Sequence, residues 1–243
     1  MNRVRAIALW VLLATTAFAQ APPDTNKWGT QFNSTGAKLT FRETGRDRHQ
    51  GKTVVVGNLY ATGLPTDGDY VLWMWQEGKS PEGVADAYIN AEGKIVNRRA
   101  DPAHNVSEDP IDLKFLGGKG EAKRLAIISV DDQYRAFIDV VPFPLENTDG
   151  NCHLSATTFD PRYFAVVVNG TGFLPNEHLV IDTQSENERG TSKADAGPQG
   201  TYTAVVSPFV KGKRSGRARY TVIGAACKVG IEFAWGDGAY QLQ

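Results

Sequence analysis

Two tryptophans placed two residues apart are the side chains best suited to bind a ligand in this 243-residue chain. Trp73 and Trp75 lie in an apolar run that predicts a β-strand, and alternate residues of a strand point to the same face. If that face is exposed, the two rings form a flat platform on which a sugar can stack. If it is covered, one ring is a core residue of the strand. Both interpretations stay open at this point.

The second candidate binding segment is the most basic one, residues 211–219, with five cations in nine positions. Arg217 and Arg219 would lie on one face of a strand, where they could contact a sulfated glycan, a lipopolysaccharide phosphate or another polyanion. The alternative is a solvated hairpin whose cations protect an edge strand from aggregation. The glycines of this segment and the similar residues 118–124 favour the hairpin.

No pattern in the sequence specifies a catalytic or metal centre. The four histidines lack the short spacings of zinc ligands, and the carboxylates form no calcium loop. A nucleophile elbow, a phosphate-binding loop and a dinucleotide fingerprint are also missing. As strand neighbours, Asp131 and Asp132 would point to opposite faces and could not flank one glycosidic bond. We therefore predict no catalytic residue, no metal and no cofactor, with an enzyme as the alternative hypothesis.

Residues 1–19 have the pattern of a secretory signal peptide. Arg3 and Arg5 precede a mainly apolar run of 13 residues, and small residues form a cleavage site before Gln20. That run is shorter than the roughly 20 residues of a transmembrane helix. No later apolar run is long enough to span a bilayer, and no cysteine follows the cleavage site to carry a lipid. We expect a soluble product, secreted or periplasmic.

The two cysteines, Cys152 and Cys227, predict a structural disulfide in such an oxidising compartment. Neither belongs to a Cys-x-x-Cys motif, which a redox or metal pair would favour. The bond would close a loop of about 75 residues and, on the loop-entropy description, contribute roughly 4 to 5 kcal/mol.

The charge balance limits the partners. The chain has 26 Lys and Arg against 27 Asp and Glu, and cleavage after residue 19 would remove two of the cations. A small negative excess predicts neither a nucleic-acid binder nor an acidic solvating tail. The partner hypotheses are an envelope protein or a polysaccharide, with no nucleic acid, and the residues do not specify an oligomeric state.

Short β-strands are predicted almost throughout the chain. Runs rich in β-branched and aromatic residues alternate with Gly, Pro, Asn and Asp, and no segment of ten or more residues has a helical period. Such strands are typical of β-sandwiches. The predicted strands are 54–56, 70–75, 125–130, 136–141, 164–168, 179–183, 202–206, 220–223 and 230–235.

One segment occurs twice, 109 residues apart. Gly63 and Gly172 each precede a proline, and the same spacings then lead to an apolar pair, a glutamate and an Ala-Asp-Ala triplet. A repeat of this length is too long for a solenoid unit, so each copy must form its own core. We expect both glycines to take a positive φ. The equivalents of the two tryptophans are Asp182 and Gln184, which indicates that this strand face points outward in the second copy.

Composition divides the chain into two domains. Residues 20–37, with two prolines and few apolar residues, are predicted to form a flexible N-terminal arm. The first domain covers residues 38–145, residues 146–151 form a short polar linker, and the second domain covers residues 152–243. Each domain is long enough for one core of immunoglobulin size.

Residues 166–177 read V-V-V-N-G-T-G-F-L-P-N-E and are followed by the Ala-Asp-Ala triplet at 194–196. This pattern resembles the immunoglobulin-like repeats of bacterial secreted and surface proteins, in which an apolar strand leads to G-x-G-F-x-P-x-E. The resemblance covers most of the second domain and, more loosely, the first. It implies an all-β protein of two tandem immunoglobulin-like β-sandwich domains, a fold that serves spacers, adhesins and glycan binders.

The stretch from residue 194 to residue 230 also resembles the apoproteins of enediyne antibiotics such as neocarzinostatin. These bacterial immunoglobulin-like sandwiches hold an apolar chromophore in a cleft. They close a local disulfide a few residues upstream of the matching cysteine, where residues 222–226 of this chain contain none. The resemblance implies a carrier of a small apolar ligand as one hypothesis.

Together these features predict an exported, non-catalytic binding or structural interaction module of the cell envelope or extracellular space. The first alternative is a polysaccharide-acting enzyme or an accessory glycan-binding protein, and the further alternative is the apolar carrier. The candidate ligand-binding residues are Trp73, Trp75, Arg217 and Arg219.

Overall fold

A computed structural model describes residues 20–97 and 110–239 of the chain. The predicted signal peptide lies outside the described residues. Within them, every helix is too short or too polar to cross a membrane. The strands are β1 Lys38–His49, β2 Lys52–Thr62, β3 Tyr70–Trp75, β4 Glu82–Ile89, β5 Ile95–Asn97, β6 Leu113–Phe115, β7 Lys123–Ser129, β8 Arg135–Val140, β9 Leu145–Asp149, β10 Cys152–Thr157, β11 Val166–Thr171, β12 His178–Ser185, β13 Glu188–Asp195, β14 Tyr202–Val206, β15 Ser215–Ile223 and β16 Lys228–Gly236. Two 3-10 turns, Thr25–Lys27 and Thr30–Phe32, precede them.

Four antiparallel sheets form two sandwiches in tandem. The first sandwich consists of the sheets β1-β2-β6 and β5-β4-β3-β7-β8, and the second of β14-β11-β10-β9 and β13-β12-β15-β16. The duplication is visible in the topology, because β1-β2-β6 and β4-β3-β7-β8 recur as β10-β11-β14 and β13-β12-β15-β16. The predicted tandem immunoglobulin-like fold is therefore confirmed. Only β5 and β9 have no counterpart in the other sandwich among the described strands.

Each sandwich has its own apolar core, because alternate residues of the facing strands point between the two sheets. Leu72 and Ile127 are fully buried in the first core, and Leu179, Val222 and Trp235 in the second. The Cys152–Cys227 disulfide is also present and joins the two sheets of the second sandwich. It spans the domain, unlike the local disulfide of the neocarzinostatin apoproteins.

The two repeated glycines take the positive φ that the sequence predicts, 72° at Gly63 and 84° at Gly172. Each lies against the backbone just before the first strand of the repeated unit. A Cβ on Gly63 would stand 2.2 Å from the Gly36 carbonyl oxygen, and one on Gly172 would stand 1.8 Å from that of Asn151. The absence of a side chain thus allows both the backbone conformation and the close approach.

We expect Gly172→Ala to destabilise the second sandwich by more than the roughly 1 to 2 kcal/mol that an alanine pays for a left-handed backbone conformation. The matched control is Gly212→Ala, which has a similar φ of 81° and no heavy atom within 4 Å of its added Cβ. Urea unfolding of both variants separates the conformational cost from the clash. Equal losses would show that the approach to Asn151 contributes nothing.

Residues 146–151, predicted to be a linker, lie mostly in strand β9. This strand pairs with β10 from Leu145↔Ala156 to Cys152↔Asp149, and Leu145 is buried in the second core. The other residues of β9 are exposed at the edge of the sheet, so their polar composition is like that of a linker. Residues 141–144 therefore make up the whole connection between the last strand of the first sandwich and the first strand of the second.

Residues 20–37, predicted to be a flexible arm, pack against the first sandwich. The Asn33 Oδ1 atom accepts a hydrogen bond from the Phe137 N–H (2.8 Å), and the Ser34 Oγ atom accepts one from the Arg135 N–H (2.9 Å). These bonds lie along the edge of β8. Trp28, in the same segment, is buried against the outer face of the five-stranded sheet. One aromatic side chain and a few hydrogen bonds thus fix residues 20–37 to the first sandwich, although their composition predicts a flexible arm.

Candidate functional site

Trp73 is 4% exposed and lies in an apolar cluster on the outer face of β3, with Trp28, Ala126 and Phe137. Its neighbour Leu72 points the other way, into the core between the sheets. The strand face that carries Trp73 does point out of the sandwich, but the N-terminal segment covers it. Trp73 is therefore a core residue, and a sugar could stack on it only if that segment moved away.

Trp75 is half-buried and contacts the same N-terminal segment, with its ring centroid 5.4 Å from that of Trp28. Its Nε1–H donates a hydrogen bond to the Lys79 carbonyl oxygen (2.8 Å). The Arg124 guanidinium lies 4.6 Å from the Trp75 ring centroid and 4.2 Å from that of Phe159 in the second domain. Trp75 thus supports an arginine that bridges the two sandwiches through cation–π contacts.

The bridging arginine is held by carboxylates as well. Arg124 makes ion pairs with Glu77 (3.5 Å) and Asp139 (3.4 Å). Burial raises the pKa of Asp139 above its usual value, while the charge of Arg124 acts in the opposite direction. Because both carboxylates pair with its guanidinium group, Arg124 serves as a structural contact between the domains.

Arg217 and Arg219 lie exposed on the outer face of β15, beside a shallow polar concavity of about 400 Å³. Arg219 forms an ion pair with Glu232, and the Glu186 carboxylate accepts a hydrogen bond from the Arg217 N–H (2.7 Å). Glu232 thus pairs with a guanidinium group, whereas Glu186 binds the backbone of Arg217. The described lining of the concavity contains two carboxylates and two guanidinium groups, so it has no excess of positive charge to attract a polyanion. Binding of a ligand by these arginines stays a prediction.

The two sandwiches meet through backbone hydrogen bonds between two loops. The Ala122 N–H donates to the Thr158 carbonyl oxygen, and the Thr158 N–H donates to that of Gly120, both at 2.8 Å. The Tyr163 hydroxyl donates to the Lys119 carbonyl oxygen at 2.8 Å. Burial raises the pKa of Tyr163 far above its usual value, so this hydroxyl stays protonated and remains a donor. The junction loop, residues 116–122, is thereby fixed against the second domain.

A groove of about 720 Å³ opens at this junction. The β1–β2 hairpin contributes Lys52, the junction loop contributes Lys119, and the second domain contributes Pro161. Its volume is in the range of small-molecule and glycan-sized sites, roughly 300 to 1,000 Å³. We call this feature the junction groove. Its other lining residues are Gly51, Thr53, Gln76, Leu116, Gly117, Glu121, Lys123 and Phe143.

The junction groove is positively charged. Glu121 is 5% exposed, and its carboxylate accepts from the Lys123 ammonium (2.5 Å) and the Gly118 N–H (3.1 Å). A buried carboxylate needs such partners, because desolvation otherwise makes its charge costly. This pair is neutral, and the other charged residues of the described lining are Lys52 and Lys119. Both side chains are exposed to solvent.

The described lining of the groove offers few groups for acid–base chemistry. Glu121 is the only carboxylate among the described lining residues, and Lys123 neutralises it. Within residues 20–97 and 110–239, no three His, Cys, Asp or Glu side chains gather into a metal-binding group. The sequence signal for this site is the segment 118–124, whose similarity to residues 211–219 favoured the interpretation of that basic segment as a solvated hairpin.

No protein family and no curated protein matches this sequence. Among solved structures, the chain is similar to a tetra-tandem repeat in the extending region of a large adhesion protein, at 12% identity and a TM-score of 0.27, over 82% of this chain and 49% of that one. It thus spans about half of that chain. It is also similar to a DUF3823 family protein from Bacteroides ovatus ATCC 8483, at 11% identity and a TM-score of 0.20, over 82% of this chain and 97% of the other. Likenesses this distant indicate no function.

Proposed function

We propose that this protein is a non-catalytic binding module of the cell envelope or extracellular space that holds an acidic polysaccharide in the junction groove. The observation that carries the proposal is the lining of that groove, where Lys52 and Lys119 border the same space of about 720 Å³. Besides the Glu121–Lys123 pair, the described lining contains these two lysines and no further carboxylate.

Charge determines the class of ligand. Three lysines and one glutamate line the groove, so a carboxylated or sulfated chain is attracted and a cationic one is repelled. Lys52 is the first residue of β2 and Lys119 lies in the junction loop, and two separate cations suit a polymer that presents charges at intervals. Leu116, which is 44% exposed, and Phe143 add apolar surface on which the face of a sugar ring can pack.

The groove favours an accessory glycan-binding protein over a polysaccharide-cleaving enzyme. Glycoside hydrolysis needs two carboxyl groups on either side of the scissile bond, and the described lining contains one. The mixed lining also distinguishes the groove from the closed apolar pocket of a small-ligand carrier. An exported location is supported by the disulfide, since such bonds persist in oxidising compartments, and by the predicted signal peptide.

Replacement of Lys52 and Lys119 by glutamine is expected to weaken binding to an acidic polysaccharide such as a polyuronate by at least about tenfold, because two of the three cations in the described lining are removed. Affinity electrophoresis and calorimetry at about 0.05 M and 0.5 M salt measure the effect, which salt should reduce in the parent protein. Both lysines are exposed, so the loss of stability should be small, and thermal unfolding of the double variant checks that it is.

The matched control is Lys211→Gln with Lys213→Gln, which removes the same charge from an exposed turn outside the groove. Equal losses in the two double variants would refute the groove as the site. Equal binding of a neutral polysaccharide would refute the acidic ligand. Salt-independent binding of an apolar dye, displaced by no polysaccharide, would support the carrier instead.

A further inference from the structure

We propose that two copies of this chain associate by pairing their β14 edges in antiparallel fashion. Strand β14 pairs with β11 on one side, and its other side pairs with no strand of the described chain. Unpaired N–H and C=O groups at a sheet edge form a template for another strand. An antiparallel pair would continue the sheet β14-β11-β10-β9 across a two-fold axis into the second copy.

The charge pattern indicates that the strand pairing with this edge belongs to a second copy of the chain. Residues 196–210 contain no Asp, Glu, Lys or Arg, so this edge can face itself without repulsion between like charges. The edge strand β13 of the other sheet carries Glu188, Arg189, Lys193 and Asp195, and such charges protect an edge against pairing. Among the described edge strands, β5 is also uncharged, but it has three residues and its Val96 bridges to Pro110.

Apolar side chains are exposed along the same edge. Val205 is 74% exposed in the middle of β14, and Phe209, three residues after the strand, is 52% exposed. Leu174, at 55%, adjoins the turn before the strand, where the Phe173 N–H donates to the Gly200 carbonyl oxygen. Of these side chains, Val205 lies in the strand itself, so pairing of two edges would remove part of it from water and add a hydrophobic contribution to the backbone hydrogen bonds.

The register follows from the face that each side chain takes. Tyr202, Ala204 and Val206 point inward, whereas Thr203 and Val205 are exposed on the outer face. A two-fold axis at Ala204 centres the five-residue strand on its copy. Thr203 of each copy then lies opposite Val205 of the other, and the side chains at these two positions contact across the interface.

Sedimentation equilibrium of the full mature chain from about 5 to 500 µM tests the proposal. We expect a concentration-dependent dimer for the parent protein, and a dissociation constant at least about tenfold higher for Val205→Lys and for Thr203→Glu, each of which places like charges at the interface. A 1:1 mixture of the two variants should dimerise again, because the new lysine and glutamate face each other.

The control variant is Val130→Lys, which adds the same charge at another exposed valine, in the first domain, and should dimerise as the parent does. Thermal unfolding shows whether each variant keeps its fold. A parent protein that stays monomeric at the highest concentration overturns the proposal, as does a folded Val205→Lys variant that dimerises normally. Failure of the mixture to associate overturns the antiparallel pairing. Polysaccharide binding by the monomeric variants is expected to persist, so the two proposals fail separately.

Discussion

Removal of the Cys152–Cys227 disulfide is expected to lower the free energy of unfolding of the second sandwich by roughly 4 to 5 kcal/mol. The bond joins residues 75 positions apart and connects β10, in one sheet, to the residue before β16, in the other. Without it the unfolded chain gains the entropy of a long open loop. Both cysteines are buried, so the native packing around them is also lost.

Urea unfolding of the Cys152→Ala, Cys227→Ala double variant measures this loss, with Trp235 as the reporter of the second core. The first sandwich contains no cysteine and provides an internal control for general effects of the substitutions. An unchanged midpoint for the second transition would contradict the prediction. Two free thiols in the denatured, non-reduced parent protein would contradict the disulfide itself.

Trp73→Ala is expected to destabilise the first sandwich by roughly 3 to 5 kcal/mol, as substitution of a large buried aromatic residue by alanine does. The ring lies between the N-terminal segment that carries Trp28 and the sheet residues Ala126 and Phe137. Its loss leaves a cavity and removes the surface on which that segment packs. The substitution should therefore also release residues 20–37 from the outer face of the sheet.

Equilibrium unfolding and amide exchange of residues 20–37 measure the two effects. The matched control is Met74→Ala in the same strand, where the side chain is 37% exposed and the cost should stay below about 1 kcal/mol. Polysaccharide binding by the folded fraction separates the two interpretations of the tryptophan pair. If stability holds and binding disappears, Trp73 is part of a binding surface and its assignment to the core is wrong.

The strands predicted from apolar runs coincide with strands of the structure, and two of them, β3 and β14, have the predicted bounds. Among the strands that the sequence did not predict, β4, β5, β6 and β10 are short or only partly apolar but bury apolar side chains, whereas β1 and β13 are mainly polar. Leu39 is the only fully buried residue among the twelve of β1, and β13 contains none. A strand that buries little side-chain surface has no hydrophobic alternation to reveal it, and pairing with a neighbouring strand defines it instead.

The same limit explains the linker and the arm. Strand β9 has the polar composition of a loop because it lies at a sheet edge, and residues 20–37 contain few apolar side chains. Composition reports how much surface a segment can bury by itself. It does not show that Trp28 packs against β3 or that Asn33 accepts a hydrogen bond from β8, because these strands belong to a later part of the chain.

The sequence by itself determined the duplicated β-sandwich, the positive φ of its two repeated glycines and the pairing of its only two cysteines. These properties depend on local conformation, on periodicity and on the number of possible partners. Tertiary structure alone decided that Trp73 is covered, because alternation along a strand shows which residues share a face but not what packs on that face. It also brought Lys52, Lys119 and Pro161 into one groove, since residues so distant in sequence meet only when the two sandwiches pack together.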